Sequence, residues 1–140
     1  MSKVNIIYWS GTGNTEAMAK LIAEGAQEKG AEVKLLNVSD AKEDDVKEAD
    51  VVAFGSPSMG SEVVEESEMQ PFLDSVSSIV TGKKVALFGS YGWGDGEWMR
   101  NWVSEMDNLG ANVVNDGLIV QEAPEGDSAE DCKNLGRELV

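Results

Sequence analysis

Val4-Asn5-Ile6-Ile7-Tyr8-Trp9-Ser10-Gly11-Thr12-Gly13-Asn14-Thr15 is the stretch whose reading decides the fold: an apolar run that stops abruptly in six small residues able to hydrogen-bond. Val, Ile, Tyr and Trp suit a pleated, buried surface, so Val4 to Trp9 reads as a strand bounded by turn residues. The turn has the makings of an anion cradle. Gly11 and Gly13 let successive N–H groups converge, Ser10, Thr12, Asn14 and Thr15 add side-chain donors, and a helix starting at Thr15 aims its positive end at the same point. No Lys or Arg lies between Lys3 and Lys20, so neutral dipoles alone must hold any phosphate here. The missing Lys excludes a P-loop, and Glu16 stands where a dinucleotide fingerprint needs its third Gly. Alone, the turn fits either an ordinary capped strand-to-helix connection or an anion site.

Composition narrows the function classes. With 140 residues the chain is expected to form one domain, 1–140, with a single sizeable core. No apolar run approaches the roughly 18 residues that a membrane span needs, and no signal-peptide pattern opens the sequence. The one cysteine, Cys132, excludes an internal disulfide, which points to a reducing, cytoplasmic compartment; it reads as a half-buried helix residue. A net charge of −15 argues against nucleic acid and anionic membranes as partners and favours basic ones. Residues 61 to 131 alone hold fifteen acids against Lys83, Lys84 and Arg100. Solubility would explain that imbalance equally well.

Working outward from the first loop, strands and helices alternate. Met18, Leu21, Ile22, Gly25 and Ala26 recur at helical spacing up to Lys29, with Gly30 as a stop. Val33 to Val38 makes a second strand, a short helix should end near Ala49, and Val51 to Gly55 is a short continuous apolar strand. A helix is expected from Met69 to Val80 with Pro71 in its first turn, then a strand from Lys84 to Ser90 and a helix from Glu97 to Leu109 that packs Trp98 and Trp102 into the core. Asn112–Val114 and Leu118–Val120 look like two pieces of a fifth strand interrupted by Asn115-Asp116-Gly117. Ser128 can cap a last helix to Leu139. The expected fold is α/β, a single doubly wound five-stranded parallel sheet with helices on both faces. Ligands of such sheets bind at the carboxyl ends of strands where the winding reverses, so loops 10–15, 56–62, 91–97 and 121–127 should meet at one edge.

Two of those loops suggest what accompanies the phosphate. Met59 is a polarisable side chain suited to lying on a ring, and Gly60 beside it can take either of two peptide orientations at low cost. Trp93, flanked by Gly92 and Gly94, has no local packing of its own and is free to stack on an aromatic ligand. A surface Met and a surface Trp are the plain alternatives. Taken with the first loop, they suggest a planar aromatic phosphate ester between Met59 and Trp93.

Tyr8-Trp9-Ser10-Gly11-Thr12-Gly13-Asn14-Thr15, Met59-Gly60-Ser61-Glu62 and Gly89-Ser90-Tyr91-Gly92-Trp93-Gly94-Asp95-Gly96 resemble the short-chain flavodoxins of anaerobic bacteria, over essentially the whole chain. That resemblance implies FMN. It assigns the phosphate to Ser10, Gly11, Thr12, Gly13, Asn14 and Thr15, the two ring faces to Met59 and Trp93, and the ring's N3–H to Glu62. The backbone around Gly92 and Gly94 is assigned to the pyrimidine oxygens, with Pro57, Ser58, Ser90 and Tyr91 also along the cofactor. The peptide between Gly60 and Ser61 is implied to turn over on reduction and present a carbonyl to N5–H.

The resemblance further implies a monomeric, low-potential one-electron carrier that passes between oxidised, semiquinone and hydroquinone FMN and docks on redox partner proteins through their basic faces. Glu62, Glu65, Glu66, Asp95 and Glu97 should disfavour the anionic, fully reduced ring. At about 10 Å and an effective dielectric of about 40 to 80, each acid costs roughly 0.4 to 0.8 kcal/mol, lowering the second potential by roughly 17 to 34 mV. No His exists and no nucleophilic triad or metal cluster can be assembled, so an enzyme with its own substrate is not expected. The alternative is an FMN-dependent NAD(P)H or quinone reductase, which shares the fold. A phosphoacceptor receiver domain does not fit, because Tyr8-Trp9-Ser10 and Ser56-Pro57-Ser58 lack the acids it needs, and a flavin-free binding module is the remaining rival.

Overall fold

The structure, a computed structural model, describes residues 2–140. Its elements alternate: β1 (Lys3–Tyr8), α1 (Asn14–Glu28), β2 (Glu32–Asn37), α2 (Glu43–Lys47), β3 (Val51–Gly55), α3 (Met69–Ser75), β4 (Lys84–Tyr91), α4 (Glu97–Asn108), β5 (Asn112–Val113), β6 (Leu118–Gln121) and α5 (Asp127–Glu138). All strand pairings are parallel, in the order β2-β1-β3-β4, with β5 and β6 in succession along the outer edge of β4. The chain winds from β1 out to β2, then crosses back over β1 to β3. The carboxyl ends of β1 and β3 therefore form the crevice of a doubly wound sheet.

Period-two alternation sends successive strand residues to opposite faces and creates two cores. Ile7, Phe54, Val85 and Leu87 join Met69, Leu73, Trp98, Trp102 and Met106 under α3 and α4. Ile6, Ala53, Ala86 and Phe88 join Met18, Ile22, Cys132 and Leu135 under α1 and α5. Trp98 and Trp102 are core, as the helical spacing indicates. Cys132 is fully buried rather than half-buried, and burial, then the charge of Asp131, pushes its thiol up to about 12. The two helices on the second face touch through backbone: a Cβ at Gly25 would lie 2.0 Å from Lys133 O, and one at Gly136 would lie 2.0 Å from Ile22 O.

Two further local expectations are corrected, and a third, the interrupted fifth strand, gains a physical reason. The third helix stops at Ser75, not Val80, because the run Ser75-Val76-Ser77-Ser78 lets side chains compete for backbone; Ser75 Oγ donates to Phe72 O at 2.6 Å, and turns follow to Thr81. Ser128 does not cap the last helix. Gly126 precedes that helix, and Ser128, its second residue, accepts from Glu125 N at 2.8 Å and donates to Glu125 O at 2.9 Å. The interruption of the fifth strand is a device: between Val85↔Val113 and Phe88↔Leu118, the Asn115 carboxamide accepts from Leu87 N at 3.1 Å and donates to Leu87 O at 3.0 Å. A side chain thus replaces the missing strand, and no backbone group of Leu87 is left unpaired.

Candidate functional site

The ladder of β1 ends where Trp9 N–H donates to Gly55 O at 3.0 Å, and the chain then turns into α1. Gly13 makes that turn at a φ of 96°, a left-handed conformation that side chains resist. Ser10 Oγ accepts from Gly13 N at 3.1 Å and from Glu16 N at 3.2 Å, which fixes the loop. Among the described residues, no acceptor of the chain takes the N–H groups of Gly11, Thr12, Asn14 or Thr15. Four orphan amides at a helix start, with no cation beside them in sequence, fit a tetrahedral oxyanion. Thr15 is only 1% exposed, and its Oγ1 accepts from Ser90 N at 3.4 Å, tying the cradle to the end of β4.

After β3 the chain is pinned twice before it reaches the rim. Ser56 Oγ accepts from Glu65 N at 3.0 Å, and Ser58 N donates to Ser90 O at 3.0 Å. Met59 and Val63 then exchange backbone bonds of 2.9 and 3.0 Å, closing a hairpin whose tip is Gly60-Ser61-Glu62. Glu62 holds φ at 56°, which for a non-glycine costs about 1 kcal/mol. Its Oε1 is buried without a donor in the chain. That carboxylate fills the notch at Gly94, where a Cβ would stand 2.1 Å from Oε1. An unpartnered buried acceptor fits a ligand that brings an N–H group.

Loop 91–94 faces the same edge. Tyr91 packs its ring on Trp98 at 5.7 Å between centroids, Trp98 Nε1 donates to Ser56 O at 3.2 Å, and Ser90 Oγ donates to Glu122 O at 2.7 Å. Met59 is 36% exposed and Trp93 is 63% exposed, so neither ring-facing candidate is used by the core. A groove of about 240 Å³ is lined by Gly11, Thr12, Asn14, Pro57, Ser58, Met59, Ser90, Tyr91 and Gly92, together with Trp9 and Glu122. A larger hollow of about 350 Å³ between α3 and α4, beside Leu73, Trp102 and Leu109, has no converging backbone donors.

Of the candidates from the sequence, nine line the groove. Ser10, Gly13 and Thr15 shape its cradle, Gly60, Ser61 and Glu62 form the hairpin tip, and Gly94 carries the Glu62 contact; Trp93 stands exposed between Gly92 and Gly94 and does not line it. Trp9 and Glu122 were missed. Trp9 reads as the last strand residue, yet its indole lies over Gly11, where a Cβ would be 3.0 Å from Cη2, and its Nε1 donates to Glu68 at 3.2 Å. Glu122 is the first residue after β6, with φ at 61° and its N–H on Tyr91 O at 2.9 Å; the convergence of loop 121–127 on this edge was the signal for it.

The acids expected around the ring do not act alike. Glu65 caps the start of α3: burial would raise its pKa, but the N–H of Met69, the Ser67 hydroxyl and the N–H groups of Glu68 and Ser67 together hold it below the usual carboxylate range. Asp95 is paired with Arg100 at 3.0 Å on the surface. Glu62 alone among them has a buried carboxylate oxygen without a partner, its Oε1, lodged beside Gly94.

A model of the flavodoxin family matches residues 6–136. The chain is 49% identical to a flavodoxin of Clostridium beijerinckii, over 98% of this chain and 99% of that one, and 48% identical to a flavodoxin of Megasphaera elsdenii, over 95% of each. The solution structure of two-electron reduced Megasphaera elsdenii flavodoxin superimposes with a TM-score of 0.89 over 96% of both chains.

Proposed function

The chain belongs to the flavodoxin family and is an FMN-binding electron carrier, and from this premise we propose that it works one electron at a time, at low potential, with the FMN held along the groove between the 10–15 loop and the 59–62 hairpin. The observation that carries this placement is the pairing of four orphan amides at Gly11, Thr12, Asn14 and Thr15 with one orphan acceptor, Glu62 Oε1, at a single sheet edge. FMN, when bound, supplies the one-electron chemistry.

The residues supply the rest. Ser10 to Thr15 would bind the phosphate through N–H and hydroxyl groups, Glu62 would orient the ring by accepting its N–H, Met59 would cover one face, and Trp93, exposed at the rim, would be free to close over the other. Gly60, at φ 50° with nothing within 4 Å of a would-be Cβ, lets its peptide to Ser61 turn over at little steric cost. Glu62 and Glu122 would place negative charge beside a ring bound there and so would disfavour its most negatively charged form. The whole chain, 1–140, serves as one FMN-binding domain, a cytoplasmic monomer that meets redox partners on their basic faces. Among the described residues no helix is long and apolar enough to cross a membrane.

Spectroelectrochemical titration of the FMN-loaded protein tests this reading. Two resolved one-electron steps are expected, the second well below the potential of free FMN. One two-electron step at the potential of free FMN contradicts it.

A further inference from the structure

Glu16 is the third residue of α1, counting from Gly13, the residue before the helix. A Glu at this position ordinarily turns back to accept the N–H of that preceding residue, closing a capping box. Here it does not. Gly13 N–H goes to Ser10 Oγ at 3.1 Å, while Glu16 Oε2 accepts from the Tyr8 hydroxyl at 2.9 Å. Tyr8 is the last residue of β1 and only 7% exposed, its ring packed in the core under α1 and α5, so the phenol is a stiff arm. Burial, then the hydrogen bond to Glu16 and the charges of Glu16 and Asp40, push that phenol up to about 12, so it remains a donor at neutral pH.

We propose that Tyr8 is a positioning residue for the FMN phosphate: its hydroxyl holds the Glu16 carboxylate off the N–H groups of the 10–15 loop, so that no anion of the chain itself takes the phosphate's place. The inference rests on the FMN reading above and adds to it a residue that is buried behind the groove and does not line it. The physical reason is competition. The orphan amides of a helix start accept a carboxylate as readily as a phosphate, and this loop has no Lys or Arg to offset a second negative charge. A freed Glu16 both occupies donors and repels the ester. Moving one charge several ångströms toward the phosphate weakens its binding by roughly 5- to 10-fold.

The test measures dissociation constants of FMN and of riboflavin, which lacks the phosphate, for the apoprotein and its variants. The readout is the riboflavin-to-FMN ratio within each variant, from which a general loss of folded protein cancels. Tyr8→Phe removes the donor, and Glu16→Asp keeps the charge but cannot reach the phenol. Each is expected to lower the ratio roughly 5- to 10-fold. Glu16→Gln, alone or combined with Tyr8→Phe, has no carboxylate to release and should keep the ratio at or above the wild-type value. A wild-type ratio in Tyr8→Phe or Glu16→Asp overturns the proposal, as does an equal fall in the Gln variants, which would make the pair a structural brace. A wild-type protein with no preference for FMN over riboflavin overturns the cofactor placement itself, and the proposal with it.

Discussion

The 10–15 loop and the 59–63 hairpin serve one groove by different means. The loop offers backbone: its orphan amides exist because a helix begins there, and replacing a neighbouring side chain leaves them in place. The hairpin offers side chains held in a strained frame, with Glu62 at φ 56° pressed into the notch at Gly94. Grip at the first should survive most substitutions, whereas tuning at the second should fail on small ones. Strain of this kind persists only where the surroundings over-determine it, and here the surroundings are the Met59–Val63 bonds and the Ser56 and Ser58 anchors.

The comparison is broken most severely by taking the phosphate away. Charge-assisted bonds to several amides are each worth about 1.5 to 3 kcal/mol before desolvation, and a net loss of about 4 kcal/mol makes riboflavin bind roughly 10³-fold more weakly than FMN. Fluorescence quenching on titration reads both constants. A difference under tenfold would mean that the loop is an ordinary turn.

Gly94→Ala attacks the other region. It strains a residue at φ 88° and drives a Cβ into Glu62, so FMN affinity should fall by about 2 to 3 kcal/mol, roughly 30- to 150-fold. Gly13→Ala, whose Cβ meets nothing within 4 Å, carries the strain alone and should cost less. Equal losses in the two variants would erase the distinction between backbone grip and side-chain tuning.

Glu62→Gln sharpens the comparison, because it keeps an acceptor and removes the charge. About 1 kcal/mol of affinity should be lost, and the second potential should rise by roughly 30 mV. An unchanged second potential on electrochemical titration would show that Glu62 orients the ring without tuning it.

Glu65→Gln gives the smallest effect, since Glu65 supports the hairpin from behind as the cap of α3. Its folded pKa is lowered, so its contribution is present above the ordinary value of 4.5 and is lost as pH falls through the lower, folded one. Urea unfolding should place the variant about 1 kcal/mol below wild type at pH 7, with the gap closing below about pH 4.5. A gap that does not shrink at all as pH falls below 4.5 would separate the cap from the charge.

The loop was legible in sequence because everything it needs is contiguous: a strand, two glycines and a helix start between Val4 and Thr15. The doubly wound parallel sheet followed from alternation and handedness, and with it the convergence of four loops, whereas the strand order is read from the structure. What escaped the reading depends on contacts between distant residues. Asn115 stands in for a strand only because Leu87 lies opposite, and Glu62 meets Gly94 across 32 positions of sequence that no periodicity links. Glu65 reads in sequence as one more acid beside the ring, and only its donors from Ser67 to Met69 mark it as a helix cap. The capping role assigned to Ser128 failed for a local reason, since the helix already begins at Asp127, after Gly126.

Amide chemical shifts of the apoprotein, followed as FMN is added, test most directly where the cofactor sits. The largest changes are expected at Gly11 to Thr15, with a second group at Gly60 to Glu62 and Gly92 to Gly94. Changes concentrated instead around Leu73, Trp102 and Leu109, in the larger hollow between α3 and α4, would contradict the account.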